Sequence, residues 1–277
     1  MSEMPPRALP LPEEFAVVLN RRAARLDGFA SRVAWYDTVT STNDLADRAA
    51  SAGAPHGTVV AAEAQEGGRG RMGRTWYSPP GAGLYVSVVL RPGLTVAQGR
   101  PVLSASSITL TAGVALAEAL RSATGLPAEI KWPNDLVVGR RKLCGVLAEA
   151  AAAAGDLQHV VLGFGVNVHL ATYPTEIAER VTSIEAELGR PVDRAEVFAE
   201  ALACLAERLR QLSAGGFGGI LDRWRALSPT STGARVEVLT PRGWRAGITT
   251  GVDADGALLV TREGGAERVV AGEVRWL

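Results

Sequence analysis

Residues 67–83 read GGRGRMGRTWYSPPGAG, and the fold turns on the residues that come after Gly73. Gly68 to Gly73 satisfies G-x-G-x-x-G behind the β-rich run GTVVAAEA (57–64), the pattern of a dinucleotide-binding turn. That turn needs a helix directly after it, whose first amides hold a pyrophosphate. Here RTWYSPPGAG supplies two prolines and two glycines, and no helix starts there. An acid for the ribose should come about 20 residues on, yet no Asp or Glu occurs between Glu66 and Glu118. A Walker GxxxxGK[ST] pattern is absent, and so are the HRD and DFG sequences that accompany a kinase glycine loop. There remains a long loop between two strands, with Arg69, Arg71 and Arg74 set among glycines. Glycine lets the backbone approach an anion, and each guanidinium is a planar fork for phosphate or carboxylate. Such a loop is expected to order only when an anion neutralises it; a solvated surface turn is the competing reading.

Working outward, residues 13–27 show helical apolar spacing and stop at Gly28, RVAWY (32–36) reads as a strand, and Ser41 with Asp44 resembles a capping box opening a helix that ends at Gly53. LYVSVVL (84–90) reads as a strand and 101–124 as the longest helix. AEIKW, LVV, KLCGVLAEA and HVVLGFGVNV come next as strands joined by Asn-Asp, Gly-Arg and Gly-Asp turns, with helices at roughly 193–213 and 217–227. Strands and helices mix without βαβ alternation, which predicts an α+β fold: a mixed sheet with flanking helices. From Ala234 the texture becomes four or five short strands cut by turns, a small β-barrel of about fifty residues, with SPTST (228–232) as the linker. The expected division is an N-terminal extension (1–34), a ligand-binding domain (35–230) and a C-terminal β domain (231–277).

The 277 residues carry 29 basic and 29 acidic side chains, and a neutral balance argues against a broad nucleic-acid footprint. Phosphate chemistry must therefore rest on local charge. Cys144 and Cys204 lack metal-ligand spacing, and His56, His159 and His169 show no zinc pattern. The proline-rich, acidic start is unlike a signal peptide, and no apolar run reaches the ~18 residues of a membrane span. A soluble protein of the reducing cytoplasm is expected.

Only two of the 29 basic residues are lysines, Lys131 and Lys142, both inside IKWPNDLVVGRRKLCGV (130–146). An ammonium is a compact point charge that fits the crowded centre where an oxygen leaves phosphorus, whereas arginine suits the periphery. Pro133 fixes a turn that presents Asn134 and Asp135, as hard oxygen ligands for Mg²⁺ beside a nucleotide or as a structural Asn-Asp turn. Trp76 is either a core anchor or a flat surface for a base.

TSTND (40–44), GGRGRMGRTW (67–76), KWPNDL (131–136), RKLCGVLAE (141–149) and GFGVNV (163–168), in this order, resemble the signature of the biotin protein ligases. The resemblance covers residues 35–277, and the β-rich C-terminus is similar to that family's small SH3-like domain. It implies a class II synthetase-like catalytic domain that joins biotin to ATP as biotinoyl-5′-AMP, releases pyrophosphate, and transfers the biotinoyl group to a carrier-domain lysine. By position it implies that Ser41, Thr42, Asn43 and Gln65 bind the ureido head. Arg69, Gly70 and Arg71 would belong to the loop that closes on biotin and the intermediate, accompanied by Arg74, with Trp76 near adenine. Lys142 would contact the carboxylate and α-phosphate, with Lys131 beside the nucleotide phosphates, Asn134 and Asp135 serving ATP and Mg²⁺, and Asn167 on the adenine side. Lys142, Arg69 and Arg71 are the expected catalytic cations. Met72 stands where the best-studied bacterial members carry arginine.

The chemistry agrees with these residues, since a carboxylate attacking an α-phosphate needs cations and no general base. The implied partner is the biotin carboxyl carrier domain of a carboxylase, for a monomer or homodimer. Some members add a helix-turn-helix and repress transcription. Here about 34 residues precede the first motif, too few for a three-helix DNA reader, so no DNA binding is expected. Lipoate ligation by the same acyl-adenylate route is the nearest alternative, and a non-catalytic nucleotide sensor is the alternative of another class; the GRGRxGR loop favours biotin.

Overall fold

The computed structural model describes residues 7–91, 104–153, 156–240, 243–262, 265–270 and 272–277. In chain order the elements are α1 (Glu13–Arg21), α2 (Ala23–Leu26), β1 (Val33–Val39), α3 (Thr42–Ser51), β2 (Val59–Gln65), β3 (Gly83–Leu90), α4 (Ala105–Thr124), β4 (Glu129–Lys131), β5 (Asp135–Val138), β6 (Arg141–Ala153) and β7 (Asp156–Asn167). After these come α5 (Thr175–Ala178), α6 (Ile184–Leu188), α7 (Arg194–Ser213), α8 (Phe217–Leu227), β8 (Thr232–Thr240), β9 (Gly243–Val252), β10 (Leu258–Arg262), β11 (Gly265–Val269) and β12 (Val274–Trp276).

Seven strands form one mixed sheet in the order β1-β2-β3-β7-β6-β5-β4. Only β1 and β2 pair in parallel; the other ladders are antiparallel, so the α+β reading holds. β3 lies inside the sheet, and all eight of its residues are buried. A strand covered on both faces needs a continuous apolar run rather than alternation, which is why LYVSVVL carries a single polar interruption, Ser87.

Helices α4, α7 and α8 cover one face. Ile108, Leu116 and Leu120 of α4 and Phe198, Leu202 and Leu205 of α7 join Val86, Val88, Leu162 and Phe164 of the sheet in the main core. Ser104 starts α4 as a capping box with Ser107, and Gly125, at φ +79°, ends it; residues 101–103 of the expected helix lie outside the described residues. The opposite face carries α3, whose Ala46 and Ala50 pack on Val60, Val89 and Val161, and leaves the rest of that face to a cleft.

The expected helix over 13–27 is two pieces separated at Arg22, and Asp27 (φ +50°) and Gly28 (φ +81°) end it in the left-handed region. Phe15 seats it, with ring centroids 4.6 Å from Trp35 and 5.3 Å from Phe198. Burying that ring contributes about 2–3 kcal/mol. Arg22 and Arg25 reach Glu196, Glu200 and Glu207 of α7.

The C-terminal strands form a five-stranded antiparallel sheet, order β11-β10-β9-β8-β12. Its ladder is open among the described residues, so the strands are as expected but the closed barrel is not seen. SPTST makes a 3-10 turn over Pro229–Ser231 with Ser228 and Ser231 buried. Val236, Val238, Leu258 and Val260 share the main core, and the Trp132 indole N–H donates to the Gly256 carbonyl at 3.1 Å. The C-terminal sheet is thus tied to the WPN turn. No helix among the described residues is long and apolar enough to cross a membrane.

Candidate active site

The cleft floor is built by register. Antiparallel pairing of β6 and β7 sets Gly145 opposite Gly165 and Leu147 opposite Gly163, and period-2 alternation puts all four on one face with Glu149 next along. Glycine here provides room rather than freedom. A Cβ at Gly163 would stand 2.1 Å from Asn43 Oδ1, and one at Gly165 2.4 Å from Trp76 Cε2. The Asn43 amide and the Trp76 ring therefore lie directly on the sheet, between walls supplied by Ser41–Asn43, Gln65 and the 69–76 loop.

One end of the cleft is a hydrogen-bonding pocket. Gln65 Oε1 accepts from the Thr42 amide (2.8 Å) and the Thr42 hydroxyl (3.1 Å), while Gln65 Nε2 donates to Ser78 Oγ at 2.9 Å. Gln65 thus satisfies the first amide of α3, and the expected capping box does not form: Ser41 is the N-cap but its side chain caps nothing. Ser87 Oγ lies 2.8 Å from Thr42 Oγ1 and 2.6 Å from Asn43 Oδ1. A fully buried hydroxyl demands such partners.

The other end collects cations. Lys142 Nζ sits 2.6 Å from Asp135 Oδ1 and 5.2 Å from the Trp76 ring centroid. Arg71 faces Asn134 Oδ1 at 3.4 Å. Burial holds the Arg71 guanidinium below its ordinary pKa, with Asp135 opposing and Arg74 adding to the shift. Lys131 is likewise lowered by burial, against Asp135 and with Lys142, Arg140 and Arg74 reinforcing. Two poorly solvated cations among like charges are relieved by an incoming anion. Asn134 Nδ2 donates to the Val146 carbonyl at 2.7 Å, clamping the turn to β6.

The glycine-arginine segment forms a closed hairpin. Arg69 bridges to Thr75, the Gly70 amide donates to Arg74 O, and Arg71–Gly73 form a 3-10 turn with Met72 at φ +58°. Two of its three arginines already have carboxylates: Arg69 contacts Asp44 (2.9 Å) and Glu149 (2.7 Å), and Arg74 pairs with Glu273 of the C-terminal segment. No helix succeeds it, as the sequence required.

Residues 35–167 match the model of the biotin/lipoate A/B protein ligase family. The chain is 32% identical over 242 residues to the bifunctional ligase/repressor BirA of Bacillus spizizenii, covering 87% of this chain and 72% of that one. It is 36% identical over 240 residues to the biotin–[acetyl-CoA-carboxylase] ligase of Mycobacterium tuberculosis, covering 84% and 85%. The chain belongs to the biotin protein ligase family. The solved biotin protein ligase of Aquifex aeolicus, in complex with biotin and ATP, superimposes with a TM-score of 0.76 at 28% identity, over 89% of this chain and all of that one.

In this biotin protein ligase the cleft gathers Ser41, Thr42, Asn43, Gln65, Arg69, Gly70, Arg71, Arg74, Trp76, Asn134, Asp135 and Lys142, all expected from sequence. Two expected residues stand outside its lining. Lys131 lies across the β4–β5 ladder from Asp135, and Asn167 is buried with its amide donating to Thr182 O at 2.9 Å, holding the segment before α6. Residues not singled out from sequence are Ser87, Ser78, Glu149 and the glycine floor. Ser87 was signalled by its place inside an apolar strand, and the floor by G-x-G within a strand. Among the described residues no cluster of three His, Cys, Asp or Glu could hold a metal, and both cysteines are free and buried.

Proposed function

We propose that this cleft activates biotin with ATP and passes the biotinoyl group to a lysine of a carboxylase's biotin carrier domain. The observation that carries the reading is the polarity of the cleft: a hydrogen-bonding pocket at one end, and cations from the 69–74 segment and Lys142 at the other. A biotin molecule has that same polarity, with a ureido head and a carboxylate tail.

In the first step a carboxylate oxygen of biotin attacks the α-phosphorus, an O–P bond forms, and the bond to the β-phosphate bridging oxygen breaks to release pyrophosphate. The carboxylate is already ionised, so the barrier is the approach of two anions. Lys142 and Arg71 lower it by charge, and positioning supplies the rest. In the second step a neutral lysine amine attacks the acyl carbon, AMP leaves with its phosphate oxygen, and the amine's proton passes to solvent. The mixed anhydride hydrolyses in water, and the 69–76 hairpin over the cleft shields it.

Thr42, Asn43 and Gln65, with Ser41, serve the ureido group; Lys131, Asn134, Arg74 and Asn167 support the nucleotide. Magnesium commonly leans on substrate phosphates plus one or two carboxylates, and Asp135 offers one such group at the cationic end, so an ion carried in with ATP fits and would offset phosphate charge. The C-terminal strands are read as the SH3-like domain. α1 and α2 spend their apolar face on α7, which supports a ligase that does not bind an operator, and the two buried thiols suit a reducing cytoplasm.

Offering ATP with biotin or with lipoate, and measuring pyrophosphate release and carrier labelling, tests the reading. A dithiolane would leave the head pocket's polar groups unpaired, so lipoate should be at least a hundredfold poorer; equal turnover of both acids would make this a general acyl ligase.

A further inference from the structure

Two donors from different segments converge on one oxygen. Glu149 Oε2 accepts from Asn43 Nδ2 at 2.6 Å and from Arg69 Nη2 at 2.7 Å. Asn43 belongs to the first turn of α3 and lies on Gly163; Arg69 belongs to the hairpin. Glu149 stands on β6 at the end of the floor, on the same face as Gly145 and Leu147, and also borders the space beneath the hairpin.

The chemistry fixes what this contact does. An ionised carboxylate only accepts, so the Asn43 amide must turn Nδ2 to Glu149 and Oδ1 to the Ser87 hydroxyl, 2.6 Å away. With both ends defined, the amide offers its remaining N–H and lone pair to a ligand in one orientation. The same carboxylate oxygen neutralises the arginine that draws the hairpin toward α3.

We propose that Glu149 is a positioning residue that orients Asn43 for the ureido head and, through the same oxygen, holds Arg69 so that the hairpin stays closed over the adenylate. This rests on the biotin-activating reading of the cleft. It assigns Glu149 two separable duties. Glutamine keeps an acceptor oxygen for Asn43 but leaves Arg69 with Asp44 as its remaining carboxylate, whereas alanine loses both Glu149 contacts.

The test compares wild type, Glu149→Gln and Glu149→Ala in biotin-dependent pyrophosphate exchange and in the dissociation rate of pre-formed biotinoyl-adenylate, with thermal melting as a check on folding. Glu149→Ala is expected to raise the biotin KM by about tenfold or more, the size of a lost charge-assisted hydrogen bond, and to release adenylate faster by a similar factor. Glu149→Gln should restore the KM to within about twofold of wild type while still releasing adenylate roughly fivefold faster. Should Glu149→Gln shift both quantities together, or either variant match wild type in both, Glu149 does not couple the two. A wild-type protein that exchanges no pyrophosphate with biotin would instead refute the underlying activity.

Discussion

Trp76 lies flat against Gly165: a Cβ on that glycine would stand 2.4 Å from both Cε2 and Nε1 of the indole. Gly165 has no left-handed φ, so the strand itself tolerates alanine and the tryptophan must give way. Gly165→Ala is therefore expected to keep the fold but lift Trp76 off the floor. Overpacking of this kind costs about 1–3 kcal/mol, which should weaken biotin or ATP binding roughly tenfold to a hundredfold. Steady-state KM values and indole fluorescence report it; unchanged fluorescence with unchanged KM would mean that the ring does not rest there in solution.

Lys142 is held 2.6 Å from Asp135, and its backbone is pinned by the Arg180 carbonyl. Replacing it with alanine should slow pyrophosphate release by roughly a hundred- to thousandfold, the loss of one preorganised charge partner in a transition state. Asp135→Asn leaves the ammonium in place but less confined, and should cost about tenfold. Near-normal release by Lys142→Ala would remove this residue from the chemistry.

The Lys131 amine is depressed below its ordinary 10.5 by burial, and by its like-charged neighbours. Between that lowered value and 10.5 the free enzyme carries a neutral Lys131, which an arriving triphosphate re-protonates. ATP binding should take up protons in this window below 10.5, and Lys131→Met should abolish that uptake. Titration calorimetry in buffers of different ionisation enthalpy measures it; a wild-type signal that persists in Lys131→Met places the nucleotide elsewhere.

The Gly256 carbonyl accepts from Trp132, and its φ is +84° with Leu110 Cδ1 only 2.2 Å from a built Cβ. Gly256→Ala meets both backbone strain and a clash, about 1–3 kcal/mol, and should lower Tm by roughly 5 °C. It should also disturb the WPN turn, so ATP affinity falls with stability. A melting curve that loses only a separate C-terminal transition would show the two sheets to be uncoupled.

Features that rest on local chemistry could be read from sequence. Two prolines and two glycines after the glycine-arginine stretch excluded a helix there, and with no acid before Glu118 that ruled out the dinucleotide fold. Residues that depend on register were hidden. Glu149 reads as one more acid in an Ala-rich strand until β6 pairs with β7 and sets it beside Asn43. Ser41 and Asp44 looked like a capping box, yet the Ser41 side chain caps nothing, and the first amide of the helix donates to Gln65, 23 residues from Thr42. α5 and α6 are four and five residues long, too short to show a period. Closure of the C-terminal barrel is a matter of edge pairing, which turn residues do not specify.

Mixing the protein with α-labelled ATP and biotin, without acceptor, and quenching in acid measures the central claim most directly. Labelled biotinoyl-5′-AMP should appear at about one per active site, with pyrophosphate as the sole partner product, and should disappear when a carrier domain is added. If the label is recovered only as ADP, or as AMP that forms equally without biotin, the cleft does not bring the acid against the α-phosphate.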